Sequence, residues 1–212
     1  LLSSSPELFL RLSGKEVITR PIKGTRPRGK NPEQDNAFKR ELLESKKDLA
    51  ELAMIVDLER NDLGKVSEYG TVRVLGYPEL ESYQFVHHLL ATVRGELAKN
   101  KDKFDLIQAT FPGGSITGAP KIRAMEIIDE LEPGVRGPYT GSMGWIGFNQ
   151  DLTLNIAIRV IILKEGWAHF PAGGGIVYDS EPEQEYEESW VKALGLWKAL
   201  SENGESLSHA QI

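Results

Sequence analysis

Cysteine is absent from all 212 residues, which excludes thiol nucleophiles, thiolate metal sites and disulfides and is compatible with a reducing, cytoplasmic setting. Long apolar runs are absent too. No stretch approaches the roughly 20 residues that span a bilayer, so a membrane is not an expected partner. Positive charge is in the minority: 25 Lys and Arg stand against 31 Asp and Glu, a formal net charge of -6. Such a field repels a phosphate backbone, and nucleic acid is not an expected partner either. The opening Leu1-Leu2-Ser3-Ser4-Ser5-Pro6 has neither an initiator Met nor a positive start before an apolar core, so it carries no secretory pattern and reads as the interior start of a fragment. A chain of this length forms a buried core without covalent or metal staples.

What the sequence does have is unevenly placed glycine and proline, 21 and 11 residues respectively. They gather at Pro21 to Gly29, Phe111 to Pro120, Pro133 to Gly147 and Pro171 to Gly175, where tight turns or close backbone approach to a ligand require them. Between these patches, Glu7 to Leu12 and Glu16 to Arg20 read as a hairpin around Gly14. Asp35 to Glu44 has helical composition. In Lys47 to Asn61 the residues Leu49, Leu52, Ala53, Val56 and Arg60 recur at helical steps, with Gly64 as a stop. Val72 to Tyr77 and Ser82 to Leu97 read as strands, although propensity alone also allows a helix for the second. Asp102 to Ala109 and Lys121 to Leu131 read as helices, the latter opened by Pro120.

Ser142 to Asn149, Thr153 to Leu163 and Trp167 to Pro171 read as an antiparallel series. In its middle strand Leu154, Ile156, Ile158, Val160 and Ile162 share one face and Arg159 points the other way. Pro182 to Leu200 reads as the last helix. The mixture predicts an α+β fold, antiparallel β-sheets with helices packed outside them.

Several side chains could carry chemistry. Asp48 and Glu51 on one helix, and Glu185 and Glu188 on another, are spaced so that each pair shares a helical face. As isolated pairs they are solvated carboxylates; if the faces converge they form an oxygen-rich site suited to Mg2+. Lys23, Gly24 and Thr25 lie in a basic, glycine-containing segment that is either a surface turn or an anion cradle, with Lys23 a nucleophile if it loses its proton. Arg159 either reaches water or meets an anion. Gly173, Gly174 and Gly175 read first as a bulge and second as backbone donors for a carboxylate. Tyr139 reads as a core or rim aromatic, His88 as a satisfied interior group or an acid, and Glu7 as an exposed strand head.

Taken in order, Ser5-Pro6-Glu7, Pro21 to Gly29, Ile55-Val56-Asp57-Leu58-Glu59-Arg60-Asn61-Asp62-Leu63, Phe111 to Met125 and Ala172 to Val177 closely resemble the chorismate-utilising enzymes, the anthranilate synthase component I-like family. The resemblance implies that residues 1–200 are the C-terminal part of a chorismate-binding catalytic domain, incomplete at its N-terminus, followed by a polar tail at 201–212. Within the family, Lys23 in Pro21-Ile22-Lys23-Gly24-Thr25 resembles the aminodeoxychorismate synthase component I branch, where anthranilate synthases usually carry Ala.

By the same resemblance Lys23 is the nucleophile and Glu7 the general acid, and His88 matches a histidine that serves pyruvate elimination in anthranilate synthases. Gly24, Thr25, Thr117, Tyr139, Arg159 and Gly173 to Gly175 match residues around the substrate. Glu51 and Glu188 match Mg2+ ligands, with Asp48 and Glu185 behind them. The implied partners are chorismate, ammonia from a glutamine amidotransferase subunit, and a downstream aminodeoxychorismate lyase. The implied outcome is 4-aminobenzoate and folate biosynthesis; the alternatives are anthranilate synthesis or a chorismate-binding fragment without turnover.

Overall fold

A computed structural model describes residues 1–178 and 180–201. It begins with β1 (Leu2–Ser3) and the expected hairpin of β2 (Leu8–Ser13) and β3 (Glu16–Arg20). Gly14 turns that hairpin at φ 59°, a left-handed conformation that glycine adopts without strain. Pro21 has no N–H to give a ladder, and the chain resumes beyond it as β4 (Ile22–Pro27).

Asn31 caps α1 (Pro32–Glu44) by accepting from the Gln34 N–H at 2.9 Å, which starts this helix ahead of Asp35. Ser45 caps α2 (Lys46–Gly64) in the same way, accepting from Asp48 N–H. The second helix runs through Gly64 rather than stopping before it. Next come the hairpin of β5 (Arg73–Ser82) and β6 (Val86–Glu96), both strands as expected, although the first runs past Tyr77 to include Ser82, and α3 (Lys103–Thr110) with a reciprocal cap between Asp102 and Asp105. The glycine patch after it contains a short helix, α4 (Gly114–Thr117), which periodicity is too short to reveal. α5 (Lys121–Leu131) follows, then β7 (Ser142–Ile146), β8 (Leu152–Ile156), β9 (Val160–Lys164), β10 (Trp167–His169) and α6 (Pro182–Ser201). The polar tail lies, from residue 202 on, outside the described residues.

The main sheet has the order β4-β6-β3-β2-β8-β7, with β5 on the other edge of β6, and all its pairs are antiparallel. β3 and β4 pair with successive stretches of β6, Thr19 opposite Val93 and Thr25 opposite His88. A second sheet has the order β1-β9-β10.

The expected single strand from Thr153 to Leu163 is therefore two strands in two sheets, and its proposed common apolar face does not exist. The cause lies in the partner. Ile156 N–H donates to Glu7 O at 3.0 Å and Ser4 N–H to Arg159 O at 2.9 Å, but Pro6 between them has no N–H, so the ladder cannot run through. Ala157 N–H turns instead to Gly141 O, and Arg159 N–H to Ser5 Oγ. Arg159 consequently sits at a corner between sheets and not in mid-strand.

The core lies between the main sheet and the helices on one of its faces. Leu10, Leu12, Val17, Leu89, Val93 and Leu152 from the strands pack with Leu42, Leu52, Val56, Leu63 and Leu106 from α1, α2 and α3. Each such burial contributes about 1.5–3 kcal/mol before entropic losses. No helix among the described residues is long and apolar enough to cross a membrane.

A buried ion network fixes the glycine patch to this core. Asp62 on α2, only 1 % exposed, pairs with Lys121 at the head of α5 and with Lys65 at 2.8 Å. Lys121 also donates to Thr110 O at 2.8 Å and Pro112 O at 2.7 Å. Removing one partner leaves the other charge buried, so Asp62→Ala is expected to cost about 3 kcal/mol of unfolding free energy. Denaturant titration checks this; a loss below about 1 kcal/mol would show the network to be dispensable.

Candidate active site

Lys23 owes its position to Gly24. The β4–β6 register shifts between Ile22 and Thr25, and Gly24 occupies that irregularity at φ 85°. A β-carbon there would lie 2.8 Å from Leu42 Cδ1 and 2.9 Å from Asp48 Cγ, so no larger residue fits. The segment is thus a cradle held against α1 and α2, not a free basic turn. Its exit is tied by Asp35, which accepts from Arg28 Nε at 2.7 Å, Gly29 N–H at 2.9 Å, Lys39 and the buried His87. The Arg28 contact, followed by Gly29 and Lys39, holds the Asp35 carboxyl far below the usual carboxylate range. The surface depression beside Arg28, Asp35 and Lys39 offers no spare charge, because these three are committed to one another.

From this cradle Lys23 Nζ donates to Ser115 O in α4 at 3.3 Å. Around it stand Glu7, Glu51 and Glu188, all within its electrostatic reach. Glu7 is not the exposed strand head its position implied: it is 5 % exposed. Burial raises its pKa to about 7, against smaller opposing effects of Ser115, Lys23 and the Ile22 backbone. Ser115 Oγ is close to it but makes no well-directed hydrogen bond. The result is a carboxyl that retains a proton near neutral pH beside an amine.

Arg159 sits half-buried, with one guanidinium contact to Ile158 O at 3.3 Å and no ion pair among the described residues. Burial lowers its pKa, and Tyr139 opposes this. Burial likewise raises the Tyr139 phenol, and burial followed by Arg159 lowers the His88 imidazole. His88 Nδ1 hydrogen-bonds Thr25 Oγ1 at 2.9 Å and its ring stands edge-on to Tyr83. An unpaired guanidinium among a neutral imidazole and a phenol is a receptor for a small anion.

The glycine run lies outside any strand, so it is not a bulge. It is a loop, and each glycine leaves room for a neighbour. A β-carbon would lie 3.3 Å from Tyr139 Oη at Gly173, 2.7 Å from Glu185 Oε2 at Gly174, and 3.6 Å from Lys23 Nζ and 3.8 Å from Glu51 Oε2 at Gly175. The loop therefore joins Tyr139, Lys23 and the carboxylates of α2 and α6 into one neighbourhood. Thr117 belongs to it only loosely, since its hydroxyl is turned back to Gly113 O at 3.0 Å.

The acidic faces of α2 and α6 do come together. Lys47 bridges to Glu185 at 3.6 Å, and Glu51 feels Glu188 as well as Asp48. Burial raises the Glu51 carboxyl, with Lys23 and Lys47 opposing. For Glu188, burial acts upward but is outweighed by Lys192, Lys47 and Lys23, and the carboxyl is held low; Lys192 Nζ lies 2.5 Å from it. Asp48 is engaged by Arg26 at 3.3 Å. Glu185 is buried, accepts from Ser180 Oγ at 2.6 Å, and leaves Oε2 without a partner. Among the described residues no three of these groups converge within metal-holding distance. All-oxygen donors and an orphaned buried carboxylate oxygen nevertheless fit Mg2+, which takes one or two protein carboxylates and completes its shell with water and substrate oxygens.

One buried group escaped the sequence reading. Glu59 on α2 is 3 % exposed; it accepts from Thr19 Oγ1 at 3.3 Å, and a β-carbon at Gly114 would lie 3.3 Å from its Oε1. Its signal was present: Leu52, Val56, Glu59 and Leu63 fall on one helical stripe, which places a carboxylate in the apolar face.

A family model described as chorismate binding enzyme matches residues 1–197. The chain is 52 % identical over 200 residues to aminodeoxychorismate synthase component 1 of Bacillus subtilis, covering 94 % of this chain and 43 % of that protein. It is 50 % identical over 200 residues to anthranilate synthase component 1 of Thermus thermophilus, with the same coverage of 94 % and 43 %. Its fold matches the crystal structure of anthranilate synthase component I from Streptococcus pneumoniae with a TM-score of 0.81 and 42 % identity, over 91 % of this chain and 42 % of that one. The chain thus spans less than half the length of these relatives.

Proposed function

This chain belongs to the chorismate binding enzyme family, and from that premise we propose that it forms the catalytic part of an aminodeoxychorismate synthase large subunit, converting chorismate and ammonia to 4-amino-4-deoxychorismate. The observation that carries this reading is Lys23, an amine held by the Gly24 cradle beside a buried, proton-retaining Glu7. Glu7 enters in its protonated form as the acid, and Lys23 becomes the nucleophile once its ammonium gives its proton to solvent. Lys23 Nζ then forms a bond to C2 of chorismate, both ring double bonds shift by one position, and the C4–O bond breaks with Glu7 protonating the departing hydroxyl as water. Ammonia bonds to C4, both double bonds shift back, and the C2–N bond to Lys23 breaks, returning the amine.

Arg159 pairs with the enolpyruvyl carboxylate and Tyr139 with Gly173 to Gly175 bounds the same pocket, so the ring is presented to Lys23 in a fixed orientation. Thr25, braced by His88, completes the polar wall, and Thr117, whose hydroxyl is turned back to Gly113 O, stands at its margin. A bound Mg2+ would be held by Glu51 and Glu188, with Asp48 and Glu185 orienting its water, and would neutralise the ring carboxylate. The partners on this reading are a glutamine amidotransferase subunit that supplies ammonia and a lyase that converts the product to 4-aminobenzoate for folate, all in the cytoplasm.

Two observations favour a second reading as anthranilate synthase component I: the near-equal identity to the Thermus relative, and His88 positioned near Arg159. Product identification separates them. The full-length protein given chorismate, Mg2+ and ammonium is expected to yield 4-amino-4-deoxychorismate without pyruvate; anthranilate with equimolar pyruvate would overturn the proposal.

A further inference from the structure

We propose that Lys192 is a built-in countercation for Glu188, exchanged for Mg2+ when the metal binds, and that this exchange releases the glycine loop from α6. This rests on the reading of Glu51 and Glu188 as Mg2+ ligands. Lys192 Nζ lies 2.5 Å from Glu188 Oε1 and donates to Gly173 O at 3.1 Å, so one ammonium joins the carboxylate to the loop. Glu188 and Lys192 are four residues apart on α6, the spacing of an ordinary helical ion pair. Such a pair normally stays within its own helix. Here a second segment closes over the cation, and a β-carbon at Gly174 would lie 3.9 Å from the same Nζ. The Lys192 side chain is accordingly 27 % exposed, against 55 % for Lys47 beside Glu185.

The neighbouring charges show why an exchange is required. Arg26 pairs with Asp48 at 3.3 Å, Lys47 with Glu185 at 3.6 Å and Lys192 with Glu188, while Glu51 makes no ion pair among the described residues. Glu51 and the unpartnered Oε2 of Glu185 are thus open to a further cation, whereas Glu188 already holds one. An ammonium and a dication on one partly buried carboxylate repel each other strongly. The two compete for Glu188, and the affinity for Mg2+ is reduced by the share of molecules in which Lys192 is in place. The ammonium has its own use there: it keeps the carboxylates of α2 and α6 from facing each other uncompensated until the metal takes over that role. Because the same ammonium serves Gly173 O, its departure frees the loop that lies against Tyr139 and Lys23.

The test combines calorimetric titration of the full-length protein with MgCl2 and hydrogen exchange of peptides covering Ala172 to Val177. In wild type, saturating Mg2+ is expected to speed exchange in this loop by about threefold or more. Mg2+ that binds and leaves the loop unchanged, or slows it, would overturn the inference without need of any variant. Lys192→Met is expected to bind Mg2+ about tenfold more tightly, with a loop that exchanges fast from the start and no longer responds to the metal. Tighter binding with the loop still responsive would reduce Lys192 to a nearby charge and contradict the proposal. Lys47→Met also removes a cation from the carboxylates but touches no loop carbonyl, and it is expected to keep the wild-type response; its loss there would equally contradict the proposal. Glu188→Gln separates the inference from its premise: Mg2+ bound as well by this variant as by wild type would refute the metal reading itself, and the exchange with it.

Discussion

Lys23→Ala in the full-length protein is expected to lower formation of the 4-amino product by about 10³-fold or more, the scale on which loss of a group acting in bond making is felt. Regiochemistry is expected to change as well as rate. Addition of Lys23 at C2 with departure from C4, followed by addition of ammonia at C4 with departure of Lys23 from C2, places the incoming nitrogen at C4. Without the lysine, ammonia that enters the same pocket attacks C2 once, so any residual aminated product is expected to carry its nitrogen at C2. The variant removes no core contact: Lys23 projects from the cradle that Gly24 shapes, and its one hydrogen bond is to Ser115 O. Quantifying both regioisomers by chromatography against standards decides the matter. Undiminished 4-amino product would mean that ammonia reaches C4 without covalent help.

Glu7→Gln is expected to reduce kcat by about 10²- to 10⁴-fold, the usual worth of a positioned general acid. The pH dependence carries a sign that can be worked out. The active form is the protonated one and the pKa is about 7, so wild-type activity falls as pH rises through 7. Stability moves in the same direction. A carboxyl whose folded pKa exceeds its ordinary value near 4.5 contributes stability fully below that value and loses the contribution as pH rises through about 7. Glu7→Gln removes this liability, and the variant is expected to resist denaturant better than wild type at pH 8 while turning over far more slowly. A variant that loses both rate and stability at pH 8 would make Glu7 a structural group.

The hairpin around Gly14, the long α2 helix and the α+β class were legible because each rests on a local signal: a turn residue, a 3.6-residue stripe, an alternation of element types. What was not legible depends on contacts between distant segments. The break at Ala157 to Arg159 arises from Pro6 in the segment between β1 and β2, some 150 residues away, and nothing in the apolar run of Thr153 to Leu163 announces it. α4 is one turn long, below the length at which periodicity speaks.

The same distinction holds at the site. The residues of the Pro21 to Gly29 segment could be singled out from their chemistry, but only the packing of Leu42 and Asp48 against Gly24 distinguishes a cradle from a surface turn. The burial of Glu7 is likewise a property of α4 lying over it, not of the Ser5-Pro6-Glu7 segment. Glu59 was the opposite case: its place in the apolar stripe of α2, and hence its burial, was readable.

The central claim is that Lys23 becomes covalently bonded to the substrate. It is tested most directly by intact-mass spectrometry of the full-length protein incubated with chorismate and Mg2+ in the absence of ammonia. The account predicts one adduct per chain equal to chorismate less one water, mapped to Lys23 by peptide fragmentation and missing in Lys23→Ala. A wild-type protein that forms the 4-amino product when ammonia is supplied, yet shows no adduct without it, would contradict the account.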